Sequence, residues 1–154
     1  MFITNHALAG AAIGLVARRP VPALVGGVAS HLVMDVCLHW GDERLDWEDF
    51  VEVAKVDGTI GLAVCAAALT AAHRDARVPV AAGIAGACVF DMGKPWRHFF
   101  GQSPFPPAVD RFHDRIQTER PIGWVVEAVA AATLVAMLAP ALGRARARLH
   151  GNVD

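Results

Sequence analysis

Three residues in the second apolar stretch of the chain have the types and spacing to do chemistry. His31, Asp35 and His39 follow one another at i, i+4 intervals within Ser30-His31-Leu32-Val33-Met34-Asp35-Val36-Cys37-Leu38-His39-Trp40-Gly41. At about 100° per residue each four-residue step drifts only about 40°, so a helix would carry all three on one face. A histidine and an aspartate one turn apart can share a metal ion. His39 lies about 12 Å of helix rise beyond His31. It joins the same ion only if the helix ends near Trp40-Gly41 and the chain folds back; otherwise it serves a second ion or a substrate. Imidazole and carboxylate without thiolate suit Zn²⁺ or a similar transition metal better than Ca²⁺ or Mg²⁺. Buried in apolar sequence, such groups are costly unless something pairs with them.

The elements that must position these residues are short and apolar. Five segments stand out: Phe2 to Ala17, Pro20 to about Trp40, Gly58 to Ala72, Val78 to Phe90 and Pro121 to Leu142. An acidic stretch from Asp42 to Glu52 separates the second and third, and a polar, proline-rich region from Met92 to Arg120 separates the fourth and fifth. Ala and Leu richness, segment length and terminal Pro and Gly favour helix over strand. Gly10, Gly14, Gly26, Gly27, Gly83 and Gly86 allow close helix approach. The expectation is a single all-α domain over residues 1–154, a compact bundle of about five short hydrophobic helices. A long polar connection, residues 92–120, joins helices four and five.

The composition is 55% hydrophobic and 19% charged, against roughly 25% charged in typical soluble domains. Mean hydropathy is +0.39. The net charge of -1 gives no basic surplus for nucleic acid. Cys37, Cys65 and Cys88 sit in apolar runs without CxxC spacing and read as small core residues. The N-terminus has neither a basic leader nor a cleavage pattern, so no signal peptide is expected.

Most uninterrupted runs, at about 13–16 residues, fall short of the roughly 20 that a bilayer core wants. Charge order argues for a membrane nonetheless. If the chain threads back and forth, one side receives Arg18-Arg19, then Arg74 and Arg77, then Arg144, Arg146 and Arg148. The other side receives the acidic stretch and the polar connection. That is a positive-inside pattern with the N-terminus outside the cytoplasmic membrane. Trp40, Trp47, Trp96 and Trp124 all fall at the outer end, as an interfacial belt would. A soluble cytoplasmic helical domain is the alternative.

Threading brings the ionisable residues to the same outer end, and such residues within membrane segments are functional candidates. The metal-ligand set is His6, His31, Asp35, His39, Asp91 and His113, for one or two divalent ions, with Zn²⁺ as the expected metal. Two ions would clamp the attacking and leaving oxygens at phosphorus. Asp57 or Glu127 is the candidate base for water; Asp57 also reads as an N-cap of the third helix. Lys94, Arg97, Arg111, Arg115 and Arg120 beside the site suit an anionic phosphate. His73 and His150, on the opposite side, read as surface residues.

Three features carry a family resemblance: Thr4-Asn5-His6 followed by a Gly-rich helix, the Ser30-His31 to Trp40-Gly41 stretch, and Asp91 at a helix end. Together they resemble the small predicted membrane-bound metal-dependent hydrolases, which have several short hydrophobic helices with His and Asp near their ends. The resemblance covers most of the chain. More distantly, His31-x3-Asp35-x3-His39 is similar to a helix motif of zinc-dependent phospholipase C and P1-type nucleases, where a His-x3-Asp run supplies metal ligands in an all-helical fold. That likeness implies ligand roles for His31 and Asp35. The His-x3-Glu partner helix of those enzymes has no counterpart, since His113 and Glu127 do not have that spacing, so one or two ions fit better than three.

The leading expectation is therefore a membrane-bound metal-dependent hydrolase acting on a phosphoester or lipid-linked anion. The alternative of another class is a non-catalytic membrane protein that binds metal or haem, or carries protons or a small molecule.

Overall fold

Glycine decides which helices touch. The computed structural model describes residues 1–150, with side chains to residue 140. Three helices, α1 (Ile3–Ala17), α2 (Pro20–Val36) and α4 (Arg77–Cys88), pack backbone to backbone. A Cβ at Gly83 of α4 would overlap the Gly10 carbonyl of α1, and one at Gly27 of α2 would overlap the Gly83 carbonyl. Only glycine at these crossings lets the three axes come so close. The core beneath them is correspondingly fine-grained, built from Ala7, Leu8, Ala11, Ala68, Ala72, Val80, Ile84 and Leu138.

Two longer helices flank α1: α3 (Trp47–Ala71) and α7 (Trp124–His150). Much of their apolar surface faces outward, including Val56, Ile60 and Leu62 on α3 and Val125, Val129, Val135 and Met137 on α7. The 25 residues of α3, and the 20 residues Pro121–Pro140 that run into and along α7, are each long and apolar enough to cross a membrane. At 15 and 17 residues α1 and α2 are shorter. The arginines Arg144, Arg146 and Arg148, and His150, lie beyond the described side chains.

The expected bundle differs from the fold in three places. The third helix begins at Trp47 rather than Gly58, because Asp46 caps it by accepting from the Asp49 N–H at 2.9 Å, and Glu48 and Asp49 favour its positive N-terminus. The acidic stretch is thus largely helix, and Asp57 sits inside α3 rather than at its cap. The polar connection is itself folded into α5 (Gly93–Phe100) and α6 (Pro107–Ile116), giving seven helices among the described residues. Finally, α2 ends at Val36, and the chain continues as β1 (Leu38–Trp40), which pairs in parallel with β2 (Thr118–Arg120). Of the cysteines, Cys65 and Cys88 pack against the core as expected, whereas Cys37 is exposed just past α2.

The β1–β2 register sets His39 opposite Glu119. Here too glycine permits the approach, since a Cβ at Gly123 would overlap the His39 carbonyl group. The tight turns Arg18-Arg19 and Arg74–Ala76 lie at one end of the α1–α2–α4 trio. The start of α1, the end of α2 and the end of α4 meet at the other.

Candidate metal centre

Four side chains from three elements converge where those ends meet: His31 and Asp35 of α2, Asp91 of the turn Phe90–Met92 that ends α4, and His113 of α6. All four are buried, and His31 and Asp35 have no exposed surface. The i, i+4 spacing read from the sequence brings His31 Nε2 to 3.1 Å from Asp35 Oδ2. His113 Nε2 lies 3.0 Å from the same oxygen and 3.0 Å from His31 Nε2. One ligand atom from each of the four lies within 4.8 Å of all the others. That spread is wider than the roughly 3.4 Å between ligand atoms of a tetrahedral ion with bonds of about 2.1 Å, so the side chains would have to draw in by about an ångström to hold one.

The donor inventory says what the cluster lacks. The Ala87 carbonyl, 2.7 Å from His31 Nδ1, accepts a hydrogen bond, so the proton is on Nδ1 and Nε2 is a lone pair in the neutral ring. Such a backbone partner also fixes the ring orientation, as it does for metal-ligating histidines generally. On the other ring, the Gln117 amide nitrogen stands 3.2 Å from His113 Nε2 while its oxygen faces Lys94 Nζ at 3.5 Å, an orientation that makes the amide a donor and Nε2 an acceptor. Two imidazole nitrogens and a carboxylate oxygen therefore meet at 3.0–3.1 Å, and in these neutral tautomers the ring lone pairs face the oxygen. Acceptors so crowded in a buried site are satisfied by a shared proton or by a cation among them. The donor set, two imidazoles and two carboxylates without sulfur, fits a divalent transition metal.

His6, at the start of α1, joins from the opposite side. Its Nε2 is 3.1 Å from Asp35 Oδ1 and 3.7 Å from Asp91 Oδ2, and its ring stacks on His31 with centroids 4.2 Å apart. Phe90 closes the cluster by stacking on His113 at 5.6 Å.

The other sequence candidates fall elsewhere. His39 leaves the helical face because α2 ends three residues before it. It is fully buried, its Nδ1–H donates to the Cys37 carbonyl at 2.8 Å, and its Nε2 has no hydrogen-bond partner. That nitrogen faces Glu119 Oε1 at 3.8 Å, a charge contact rather than a hydrogen bond. The neighbouring imidazole holds the Glu119 carboxyl below its usual range, against the opposing effect of burial, and Lys94 adds to the lowering. Asp57 and Glu127 serve the backbone. Asp57 accepts from the N–H of Ile3 at 2.7 Å and of Thr4 at 3.2 Å. Glu127 accepts from Phe2 N–H at 3.1 Å, Trp40 N–H at 3.3 Å and the Asn5 amide at 2.6 Å. Between them they cap the start of α1.

A cleft of about 400 Å³ opens beside the centre, and His113, Gln117 and Glu119 are among its lining residues. Of the proposed anion-binding residues, Lys94 and Arg97 line it. Arg97 is engaged with Asp110 at 3.3 Å. Arg111 and Arg115 are exposed, two positions to either side of the inward-facing His113 and so about 200° around α6. Asp42, Asp46, Asp110, Asp114 and Glu119 also line the cleft, which makes it acidic overall. Asp57 and Glu127 are absent from that lining.

Sequence reasoning missed Gln117 and Glu119. Gln117 was within reach, because it follows His113 by one helical turn. Glu119 gave no signal, since its place depends on a strand pair formed across the whole chain. No protein-family profile, curated protein or solved structure matches the chain.

Proposed function

We propose that this protein is a membrane-bound, metal-dependent hydrolase. The carrying observation is the meeting of His31 Nε2, His113 Nε2 and Asp35 Oδ2 at 3.0–3.1 Å in a buried site beside an open cleft. His31, Asp35, Asp91 and His113 would hold a divalent cation. Such an ion supplies the Lewis acidity that makes water a nucleophile near neutral pH. Gln117 and the Ala87 carbonyl orient the histidines. Lys94 and Arg97 line the cleft, which supports an anionic substrate, and a phosphoester is the class they suit.

Within the cleft, Glu119 backed by His39 is placed to accept a proton. In this reading it takes the role that the sequence suggests for Asp57 and Glu127, whose oxygens are occupied by backbone N–H groups and the Asn5 amide. Two helices that could cross a bilayer, and the outward apolar faces of α3 and α7, support a membrane location. Arg18, Arg19, Arg74 and Arg77 at the end opposite the centre support an inner face there and a catalytic face outside. The resemblance of Thr4-Asn5-His6 and the His31 stretch to the small membrane-bound hydrolases agrees with this reading.

The test begins with elemental mass spectrometry of detergent-purified protein and of the His31→Ala/Asp35→Ala double variant. Stoichiometric zinc or manganese, lost in the variant, is expected. Turnover of bis(p-nitrophenyl) phosphate and p-nitrophenyl phosphate follows, with the variant inactive. A wild-type protein that takes up no divalent metal after reconstitution, or a double variant with full metal content, would sink the reading.

A further inference from the structure

The two aspartates of the centre each divide their oxygens in the same way. Asp35 Oδ2 faces His31 and His113 at 3.1 and 3.0 Å, while Oδ1 faces His6 at 3.1 Å. Asp91 Oδ1 is 3.9 Å from His113, while Oδ2 is 3.7 Å from His6. The carboxylates therefore stand between two sets of imidazole, with one oxygen of each turned to either side. A single ion on the His31–His113 side uses Asp35 Oδ2 and Asp91 Oδ1. It leaves His6 Nε2, Asp35 Oδ1 and Asp91 Oδ2 as a second converging group. His6 is fully buried and Asp91 nearly so, and Asp91 Oδ2 has no hydrogen-bond partner.

We infer that the centre binds two divalent cations, the second held by His6 with Asp35 Oδ1 and Asp91 Oδ2, so that both carboxylates bridge. The inference rests on the metal-binding part of the proposed function and not on hydrolysis.

Charge gives the second ion a purpose. One divalent ion against two buried carboxylates leaves the centre neutral, and the acidic cleft would then repel an anion. Two ions leave a surplus of two positive charges facing that cleft, which favours a phosphate-type ligand. The Met1 amino nitrogen donates to Asp35 Oδ1 at 2.8 Å, and it is the rival cation on that side.

The experiment loads the full chain in detergent with Mn²⁺ alone, removes loosely held ion by desalting, and reads stoichiometry together with the electron paramagnetic resonance spectrum. Two ions per chain with an exchange-coupled spectrum are expected for the wild type. His6→Ala and the milder His6→Gln should each hold one ion, with the six-line spectrum of an isolated Mn²⁺. Retention of that ion reports that the variant is folded. Inorganic phosphate should bind the wild-type loaded protein at least tenfold more tightly than either variant. One ion per chain in the wild type, uncoupled, overturns the inference whatever the variants do, and leaves the Met1 amino group as the cation on the His6 side. Two coupled ions without turnover of any phosphoester would sink the hydrolase reading and leave this one standing.

Discussion

Two sets of buried or half-buried carboxylates meet the first turns of α1 and do opposite work there. Asp57 and Glu127 come from the long outer helices and are met by donors, chiefly the backbone N–H groups of Phe2, Ile3 and Thr4. Asp35 of α2 and Asp91 of the turn after α4 are met mainly by the imidazole nitrogens of His6, His31 and His113, with the Met1 amino group on one Asp35 oxygen. The first set is satisfied within the protein. The second leaves Asp91 Oδ2 without a hydrogen-bond partner, and in the proposed reading an added cation would complete it. A carboxylate's role in an apolar fold is thus set by whether donors or acceptors face it, and burial alone does not separate a structural from a functional acid.

Exchanging one member of each set should expose that difference. Asp35→Asn is expected to weaken metal binding more than about 100-fold, beyond the 10–100-fold typical of losing an outer partner, read by competition with a chelator. Glu127→Ala should keep stoichiometric metal wherever it folds, yet lose about 3 kcal/mol of stability by leaving buried donors unpaired, read from denaturation in detergent. Metal loss in the Glu127 variant with unchanged stability would collapse the comparison. Asp57→Ala should cost about 1–2 kcal/mol, the worth of a helix cap, with metal content unchanged. The smallest effect is expected from Arg111→Ala/Arg115→Ala. Both residues point away from the centre, so metal content and phosphate affinity should stay within about twofold of wild type, given the weakness of exposed charges.

Much of this was legible in the sequence because it rests on local spacing. Apolar runs punctuated by Pro, Gly and Arg marked α1, α2 and α4, and the four-residue interval placed His31 against Asp35. Asp91 and His113 were within reach because a back-and-forth path carries helix ends to a common face. What escaped depended on contacts between distant segments. The β1–β2 pair has only three residues per strand and no alternation long enough to read, so neither His39's departure from the helix nor Glu119's arrival was visible. Asp57 and Glu127 looked like catalytic acids because an acid in an apolar helix reads the same whichever groups face it. The acidic stretch concealed the first turns of α3, since the residues that mark a polar loop are also those that favour a helix start.

The parallel pairing of Leu38–Trp40 with Thr118–Arg120 has a consequence for assembly. Parallel neighbours require a long crossover, and here α3 through α6 form it. The crossover can close only after β2, ending at Arg120, has been synthesised, and contacts so remote in sequence form late. His113 reaches His31 across the same long loop. A chain stalled after α4 would hold His6, His31, Asp35 and Asp91 without their last imidazole. If the centre holds the proposed ion, its tight retention marks closure of this crossover, and metal affinity can serve as a readout of folding order.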